Sequence, residues 1–148
     1  MSTHASISVK SGDHIRTIYC QNDGYLEHTG AILLRHYNSK KKAEALVDHG
    51  DASCINEEIG ERIDNHRCVN DFVYYAKVRK QCRFYHRDYD EALSILEDMN
   101  KKELRDYMQY NYLYEDGAWY VSCHDTGNKW ELLFIALASA AVAEKAAS

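Results

Sequence analysis

An Asp-Gly pair between two runs of alternating apolar residues constrains this chain more than any other feature. Asp116-Gly117 separates residues 110–115 from residues 118–123. Asp-Gly in this setting is typical of a two-residue type I′ turn, which fixes the register of a β-hairpin. We therefore expect Trp119 to be largely buried and Tyr120 to be more exposed. The apolar face of the predicted hairpin carries Tyr110, Tyr112, Tyr114, Trp119, Val121 and Cys123.

Residues 5–50 predict a second hairpin followed by two helices. Apolar and polar residues alternate over 5–10, Ser11-Gly12-Asp13 supplies a turn, and residues 15–20 return as a second strand. Ser39 is a suitable N-cap for a short helix that ends at Gly50. An earlier helix is indicated by apolar residues at helical spacing, which are Leu26, Gly30, Leu33, Leu34 and Tyr37.

The middle of the chain gives mixed signals. Residues 51–70 are compatible with a helix or with an ordered surface loop. Residues 71–87 predict a strand. One face of that strand would carry Phe72, Tyr74, Ala76 and Val78. Asp88 followed by Glu91 predicts the start of a helix. Its inward residues would be Ala92, Leu93, Leu96 and Met99.

The last third completes the predicted architecture. Asn100 and Glu103 predict a short helix before the hairpin. A final helix is indicated by an apolar stripe of Trp130, Leu133, Phe134, Leu137 and Ala141. These elements predict a single α+β domain spanning residues 1–148. Its antiparallel sheet would be built from the two hairpins and the 71–87 strand, with helices covering one face.

The charge and the cysteines favour a cytoplasmic protein with free thiols. The formal net charge is −5, and residues 91–148 hold ten acidic and five basic side chains. Binding to duplex DNA is therefore not expected at physiological salt. The five cysteines include no CxxC pair, and the N-terminus lacks the apolar core of a signal peptide. The longest apolar run, residues 132–138, is too short to span a membrane.

Three stretches of the sequence carry a resemblance to a known family. The first lies within residues 18–37 and includes Ile18-Tyr19-Cys20, Asp23-Gly24-Tyr25, Glu27, Gly30 and His36-Tyr37; the others are residues 84–88 and 113–121. They resemble small uncharacterised proteins encoded by tailed bacteriophages, with Leu26 where that family often has proline. The resemblance implies a phage protein acting inside a bacterium, as a host-takeover or counter-defence factor. It implies no catalytic residue.

Metal or nucleophilic chemistry finds little support in the residue pattern. His66, Cys68, Cys123 and His124 are the side-chain types that zinc prefers, but the cysteine spacings match no zinc ribbon. Cys20 has Asp23 and His36 near it in sequence, as a nucleophile would need. No nucleophile elbow or phosphate-binding loop accompanies them. We therefore predict no metal and no cofactor.

Basic and aromatic side chains interleave over residues 74–89. Such a pattern is compatible with a nucleic-acid or nucleotide surface, where basic groups contact phosphates and rings stack on bases. It is more typical of a strand with one solvated basic face and one packed aromatic face. Asp88, Asp90 and Glu91 lie beside it and would oppose a polyanion.

The strand-to-helix corner after Cys20 is the best place to expect a binding site. Such a corner leaves backbone groups and short polar side chains available to a partner, and it lies in the stretch most similar to the phage family. Alternatively, it is a turn that depends on glycine. A second strand-to-helix junction is the other candidate. Together they give the predicted binding residues Cys20, Asp23, Gly24, Tyr25, His36, Tyr37, Arg87 and Asp88.

The sequence favours binding over catalysis. Twelve tyrosines suit an interface, and no catalytic motif is present. The leading hypothesis is a phage accessory protein that binds and blocks an unidentified host protein. The alternative is a sponge that sequesters a nucleotide or another small ligand. A small enzyme is the third hypothesis, and a structural phage role or a homo-oligomer stays open.

Overall fold

A computed structural model describes residues 2–147, which form a mixed eight-stranded sheet with helices packed on it. The strands are β1 (Ala5–Ser11), β2 (His14–Cys20), β3 (Ala52–Cys54), β4 (Arg83–Phe84), β5 (Leu96–Glu97), β6 (Tyr110–Glu115), β7 (Ala118–Cys123) and β8 (Glu131–Leu132). Their order is β4-β3-β2-β1-β6-β7-β8, and β5 pairs with β2. The fold class is α+β, as predicted.

Seven α-helices connect or flank these strands in the described part of the chain. They are α1 (Ala31–His36), α2 (Lys40–Val47), α3 (Asn65–Asn70), α4 (Phe72–Val78), α5 (Tyr85–Tyr89), α6 (Lys101–Leu104) and α7 (Leu133–Ala147). A π-helical turn, Leu26–Gly30, leads into α1, and a 3₁₀ turn, His124–Thr126, follows β7. The predicted N-cap of α2 is confirmed, because the Ser39 side chain accepts from the Lys42 amide.

Both predicted hairpins are confirmed, and the second has the predicted register. In the β6–β7 hairpin Tyr114 pairs with Trp119, and Asp116-Gly117 forms the turn with φ of +49° and +82°. Trp119 is 1% exposed, whereas Tyr120 on the other face is half-buried. The two-residue turn therefore places the aromatic face inward, as the alternation of side chains required.

The sheet is largely antiparallel, with two parallel pairings that alternation alone could not reveal. β1 runs parallel to β6, so that Ile7 lies opposite Tyr112, and β2 runs parallel to β3. A parallel pairing needs a long connection between its strands, and residues 12–109 provide it for β1 and β6. The two hairpins thus lie side by side at the centre of the sheet.

Helices α1, α2 and α7 cover the apolar face of the sheet. Its largest core side chains are at most 1% exposed and include Ile7, Ile18, Leu33, Leu46, Tyr112 and Trp119. The opposite face carries small polar residues that bond to one another, since Ser6 donates to the side-chain oxygen of Asn111 at 2.7 Å. The chain around α6 covers that face, where Leu104 packs on Ile15 and Leu113.

The predicted strand over residues 71–87 is wrong. Residues 72–78 form α4, because the Asp71 carboxylate accepts from the backbone amides of Val73 and Tyr74 and caps a helix. Only Arg83–Phe84 is extended, as β4, before α5 begins. Phe72, which the strand would have buried beside Val78, is 83% exposed. Aromatic and β-branched residues favour a strand in isolation, and the cap overrides that preference.

The helix predicted to begin at Asp88 is also wrong. The Asp88 side chain points inward to the amides of Ile63 and Phe84 and is therefore not available as a cap. Helix α5 ends at Asp90 in a left-handed conformation with φ of +55°. The following segment is irregular, and its Leu93 side chain is 50% exposed. Residues 51–70, which were compatible with helix or loop, contain β3 and α3.

The final helix is present, but its buried face differs from the predicted stripe. Leu133 and Ala136 are buried, whereas Phe134 is 68% exposed. Nearly every residue of α7 is apolar, so the sequence pattern could not select one face. Among the helices formed by residues 2–147, none combines the length and apolar composition that crossing a bilayer requires.

Candidate functional site

The strand-to-helix corner is bonded into the scaffold of the fold. The Gly24 amide donates to the Thr3 carbonyl at 2.9 Å, and the Gly24 carbonyl accepts from the buried Tyr112 hydroxyl at 2.8 Å. The Thr29 hydroxyl donates to the Asp23 carbonyl at 2.7 Å. A Cβ on Gly24 would lie 2.6 Å from the Cβ of Ala5. We expected unpaired backbone groups at this corner, but the Gly24 amide, the Gly24 carbonyl and the Asp23 carbonyl are all hydrogen-bonded.

Only part of the corner reaches solvent. Asp23 and Tyr25 are exposed, and the Tyr25 ring lies 5.9 Å from that of His28. His36 is exposed at the end of α1. Cys20 is fully buried, and its thiol donates to the Asn22 carbonyl at 3.3 Å. Burial raises the pKa of the Cys20 thiol to about 12, so this arrangement does not support Cys20 as an activated thiolate.

Tyr37 points away from the corner, towards the second predicted site. Its hydroxyl donates to the Asn56 carbonyl at 2.7 Å and lies 3.3 Å from the Sγ of Cys82. The guanidinium of Arg87 donates to the Cys82 carbonyl at 3.1 Å. Burial raises the pKa of the Tyr37 hydroxyl, so this group stays protonated. The structure therefore joins Tyr37 to the Arg87–Asp88 junction through Cys82.

The buried thiols give a first testable expectation. We expect Cys20 and Cys82 to resist iodoacetamide at pH 8 in the folded protein, because both are 0% exposed and burial raises both pKa values. With a pKa of about 12 for Cys20, the reactive thiolate is about one part in 10,000 at that pH. Half-buried Cys68 should react first, and all five thiols should react in denaturant. Mass spectrometry of timed samples measures this order; equal rates at Cys20 and Cys68 would contradict it.

Arg87 and Asp88 form a structural hub. The Asp88 side chain is fully buried and accepts from the backbone amides of Ile63 and Phe84, both at 2.9 Å. Arg87 donates to both Asp88 carboxylate oxygens, at 2.9 and 3.1 Å, and also to the Ile59 carbonyl at 2.8 Å. These bonds tie the loop before α3 to the start of α5. The hub uses the hydrogen-bonding capacity of both side chains within the fold.

The basic and aromatic residues of 74–89 do not form one continuous surface. Arg83 donates to the Asn65 side-chain oxygen at 2.6 Å, and Arg87 belongs to the hub. Phe84 is buried under the His49 ring, with the ring centroids 4.6 Å apart. The lysines and arginines of this range that stay exposed lie at the end of α4 and just after it, and they are Lys77, Arg79 and Lys80; His86 is exposed separately, within α5.

The largest concentration of exposed apolar side chains outside α7 lies on α3 and α4. Val69 is 80% exposed, Phe72 83%, Val73 66% and Tyr75 46%. We call these four residues the α3–α4 surface. Isolated apolar residues on a protein surface are ordinary, whereas a contiguous apolar patch marks an interaction site; these four exposed residues within residues 69–75 are the candidate for such a patch.

Polar contacts link α3 to α4 near the residues of the α3–α4 surface. Arg67 of α3 donates to the Asp71 carboxylate at 3.2 Å and lies 4.2 Å above the Tyr74 ring of α4. The Tyr74 hydroxyl accepts from the Asp64 amide at 2.9 Å. Hydrogen bonds from backbone amides, with that of Tyr74 first, lower the pKa of Asp71 and keep it charged. A surface fixed in this way loses little conformational entropy on binding.

The segment that carries the α3–α4 surface is basic within an acidic protein. Residues 62–80 hold five basic and two acidic side chains, whereas the whole chain has a net charge of −5. Arg67 is engaged with Asp71, and Lys77, Arg79 and Lys80 remain exposed. The segment thus combines the α3–α4 surface with exposed basic residues that follow it in sequence, called the basic edge here. Together they would complement an acidic protein surface with an apolar recess.

Sequence reasoning missed this surface because it assigned residues 71–87 to a strand. That assignment placed Phe72 on the inward face with Val78, and the structure separates the two. The signal that would have found it is the pair Asp64 and Asp71, which cap α3 and α4 seven residues apart. Within residues 2–147, no three His, Cys, Asp or Glu side chains converge as metal ligands.

Comparisons with known proteins add no further constraint on the site. The resemblance to phage proteins over residues 18–37, 84–88 and 113–121 is therefore still an expectation. No protein-family model, curated protein or solved structure matches the chain.

Proposed function

We propose that this chain is a non-catalytic binding protein that blocks an acidic host protein through the α3–α4 surface. The observation that carries the proposal is the exposure of Phe72 and Val69 on a helix pair that polar contacts hold in place. The three stretches similar to phage proteins support a phage accessory role, in host takeover or counter-defence, within the bacterial cytoplasm.

The physical features of the surface favour a protein partner. Interfaces concentrate their binding energy in a few aromatic and large apolar side chains surrounded by a polar edge. Phe72 is the most exposed large apolar residue of the described chain and is fixed at the first turn of α4. Because Arg83 and Arg87 are engaged inside the fold, the basic edge is short, which disfavours an extended nucleic-acid track.

The test is a binding measurement on surface variants. The host partner is first purified from a susceptible bacterium on the tagged wild-type protein. The Phe72→Ser, Val73→Ser double variant should then bind this partner at least about 30-fold more weakly, the effect of removing about 2 kcal/mol at a hot spot. Calorimetric titration of the purified partner measures it. The variant should keep the thermal stability of the wild type, since both side chains lie largely in solvent.

Two matched variants and one probe make the outcome decisive. Tyr107→Ser removes an aromatic side chain that is 39% exposed elsewhere and should leave binding unchanged. The Tyr25→Ala, His36→Ala double variant tests the corner. If the Tyr25→Ala, His36→Ala variant lost binding while the Phe72→Ser, Val73→Ser variant bound fully, the binding site would lie at the corner and the proposal would be wrong. Sub-micromolar binding of duplex DNA or of a nucleotide would contradict the proposal, and the protein would then be assigned as a binder of that ligand.

A further inference from the structure

The outward side of α7 is apolar and uncovered in the described chain. Leu133 and Ala136 face the core, while Phe134 is 68% exposed, Ile135 47% and Val142 69%. The helix has 15 residues and only two charged side chains, both near its end. A helix that is apolar around its whole circumference is normally buried on all sides. We call Phe134, Ile135 and Val142 the α7 face.

An apolar groove runs beside the α7 face, between α1 and α7. Its volume is about 440 Å³, and its walls include Ala31, Leu34, Leu137 and Ala141. Phe134 also lines the groove and is 68% exposed to solvent. The same region of the surface thus offers both a projection and a recess of apolar character.

The charges around the groove are mixed and nearly balanced. Glu27 and Glu144 line it together with Arg35, and Lys145 follows Glu144. This differs from the basic edge of the α3–α4 surface and from the net charge of −5 on the whole chain. The net charge of −5 disfavours the association of two copies in general, and a patch that carries both signs of charge adds no like-charge repulsion of its own.

We propose that the α7 face and its groove form the interface of a homodimer. In a two-fold arrangement the same patch is used by both copies, so that each residue pair occurs twice. Phe134 of each copy enters the groove of the other, and Arg35 of each faces an acidic side chain of the other. A patch that combines a projection, a recess and both signs of charge can therefore pair with a second copy of itself.

The accessible surface of the chain leaves room for such an interface. It is 8600 Å² for a mass of 17.1 kDa. One partner of a standard interface buries about 800 Å², roughly a tenth of that surface.

Sedimentation equilibrium over about 1–200 μM protein tests the proposal. The wild type should approach twice the chain mass of 17.1 kDa. Phe134→Glu should weaken dimerisation at least tenfold, because it places a charge in the apolar interface. Val142→Glu, near the other end of the α7 face, should act in the same direction. Both side chains are more than two-thirds exposed, so the monomers should fold normally.

The control and the contrary results are distinct. Phe72→Glu changes an aromatic residue on the α3–α4 surface that is even more exposed, 83% against 68% for Phe134, and should dimerise like the wild type. A wild type that stays monomeric at 200 μM, or a Phe134→Glu variant that dimerises with unchanged affinity, would overturn the proposal. So would a monomer that floats with anionic lipid vesicles through Phe134, because the α7 face would then serve a membrane surface.

Discussion

Replacing Asp88 with alanine is expected to lower the free energy of unfolding by about 3–5 kcal/mol, the cost of breaking a buried ion pair from one side. The Asp88 side chain has no exposure to solvent, and Arg87 beside it is 14% exposed. The substitution leaves the Arg87 charge without its carboxylate. It also leaves the amides of Ile63 and Phe84 without an acceptor. Urea denaturation followed by circular dichroism measures the change.

A matched control distinguishes the effect of losing a buried carboxylate from the effect of losing any acidic side chain. Asp48 also accepts from an arginine, Arg16, but its side chain is 58% exposed. Asp48→Ala should therefore cost no more than about 1 kcal/mol. If Asp88→Ala were as mild as Asp48→Ala, the hub would not hold the segment around α3 and α5 together.

Replacing Trp119 with alanine is expected to cost a similar amount, about 3–5 kcal/mol. Trp119 is 1% exposed and packs edge-on against Tyr114, with the ring centroids 5.3 Å apart. Its indole nitrogen donates to the Tyr37 carbonyl at 3.0 Å, which links β7 to the end of α1. The substitution removes the hydrogen bond and leaves a cavity between the sheet and the helices. Thermal and urea unfolding both measure the loss.

The neighbouring Tyr120 provides the comparison on the same strand. It is half-buried and lies on the opposite face. Tyr120→Ala should cost no more than about 1 kcal/mol, as is usual away from the core. A larger loss for Tyr120→Ala than for Trp119→Ala would mean that the hairpin register is reversed.

The hairpins could be predicted because their signals are local. Asp116-Gly117 specifies a two-residue turn, and one turn sets every pairing in β6 and β7. Ser39 and Asn100 cap their helices through side chains that lie within three residues of their partners. In each case the interaction that determines the local structure joins residues that are close in sequence.

The middle of the chain could not be predicted because its deciding contacts are distant in sequence. Asp88 has the local signature of an N-cap, but it accepts from the amide of Ile63, twenty-five residues earlier. The parallel pairing of β1 with β6 joins strands about a hundred residues apart. Alternation of side chains reports which face is buried and carries no information on strand direction.

The candidate surface depended on these same distant contacts. Once Asp71 caps α4, Val78 turns inward and Phe72 turns outward. The sequence favoured the corner of Gly24 and Tyr25 because a strand-to-helix turn leaves backbone groups available to a partner, and because this stretch most resembles the phage family. There the structure shows backbone groups of Asp23 and Gly24 already bonded within the fold.

Site-specific photo-crosslinking in living bacteria tests the proposed function most directly. A photoreactive amino acid at Phe72 of the tagged protein should crosslink to one acidic host protein, in a single adduct band. The same group at Tyr107, which is also exposed, should give no adduct with that protein. The identical adduct at both positions, or none at Phe72 while one forms at Tyr25, would contradict the account, because the partner would then not lie on the α3–α4 surface.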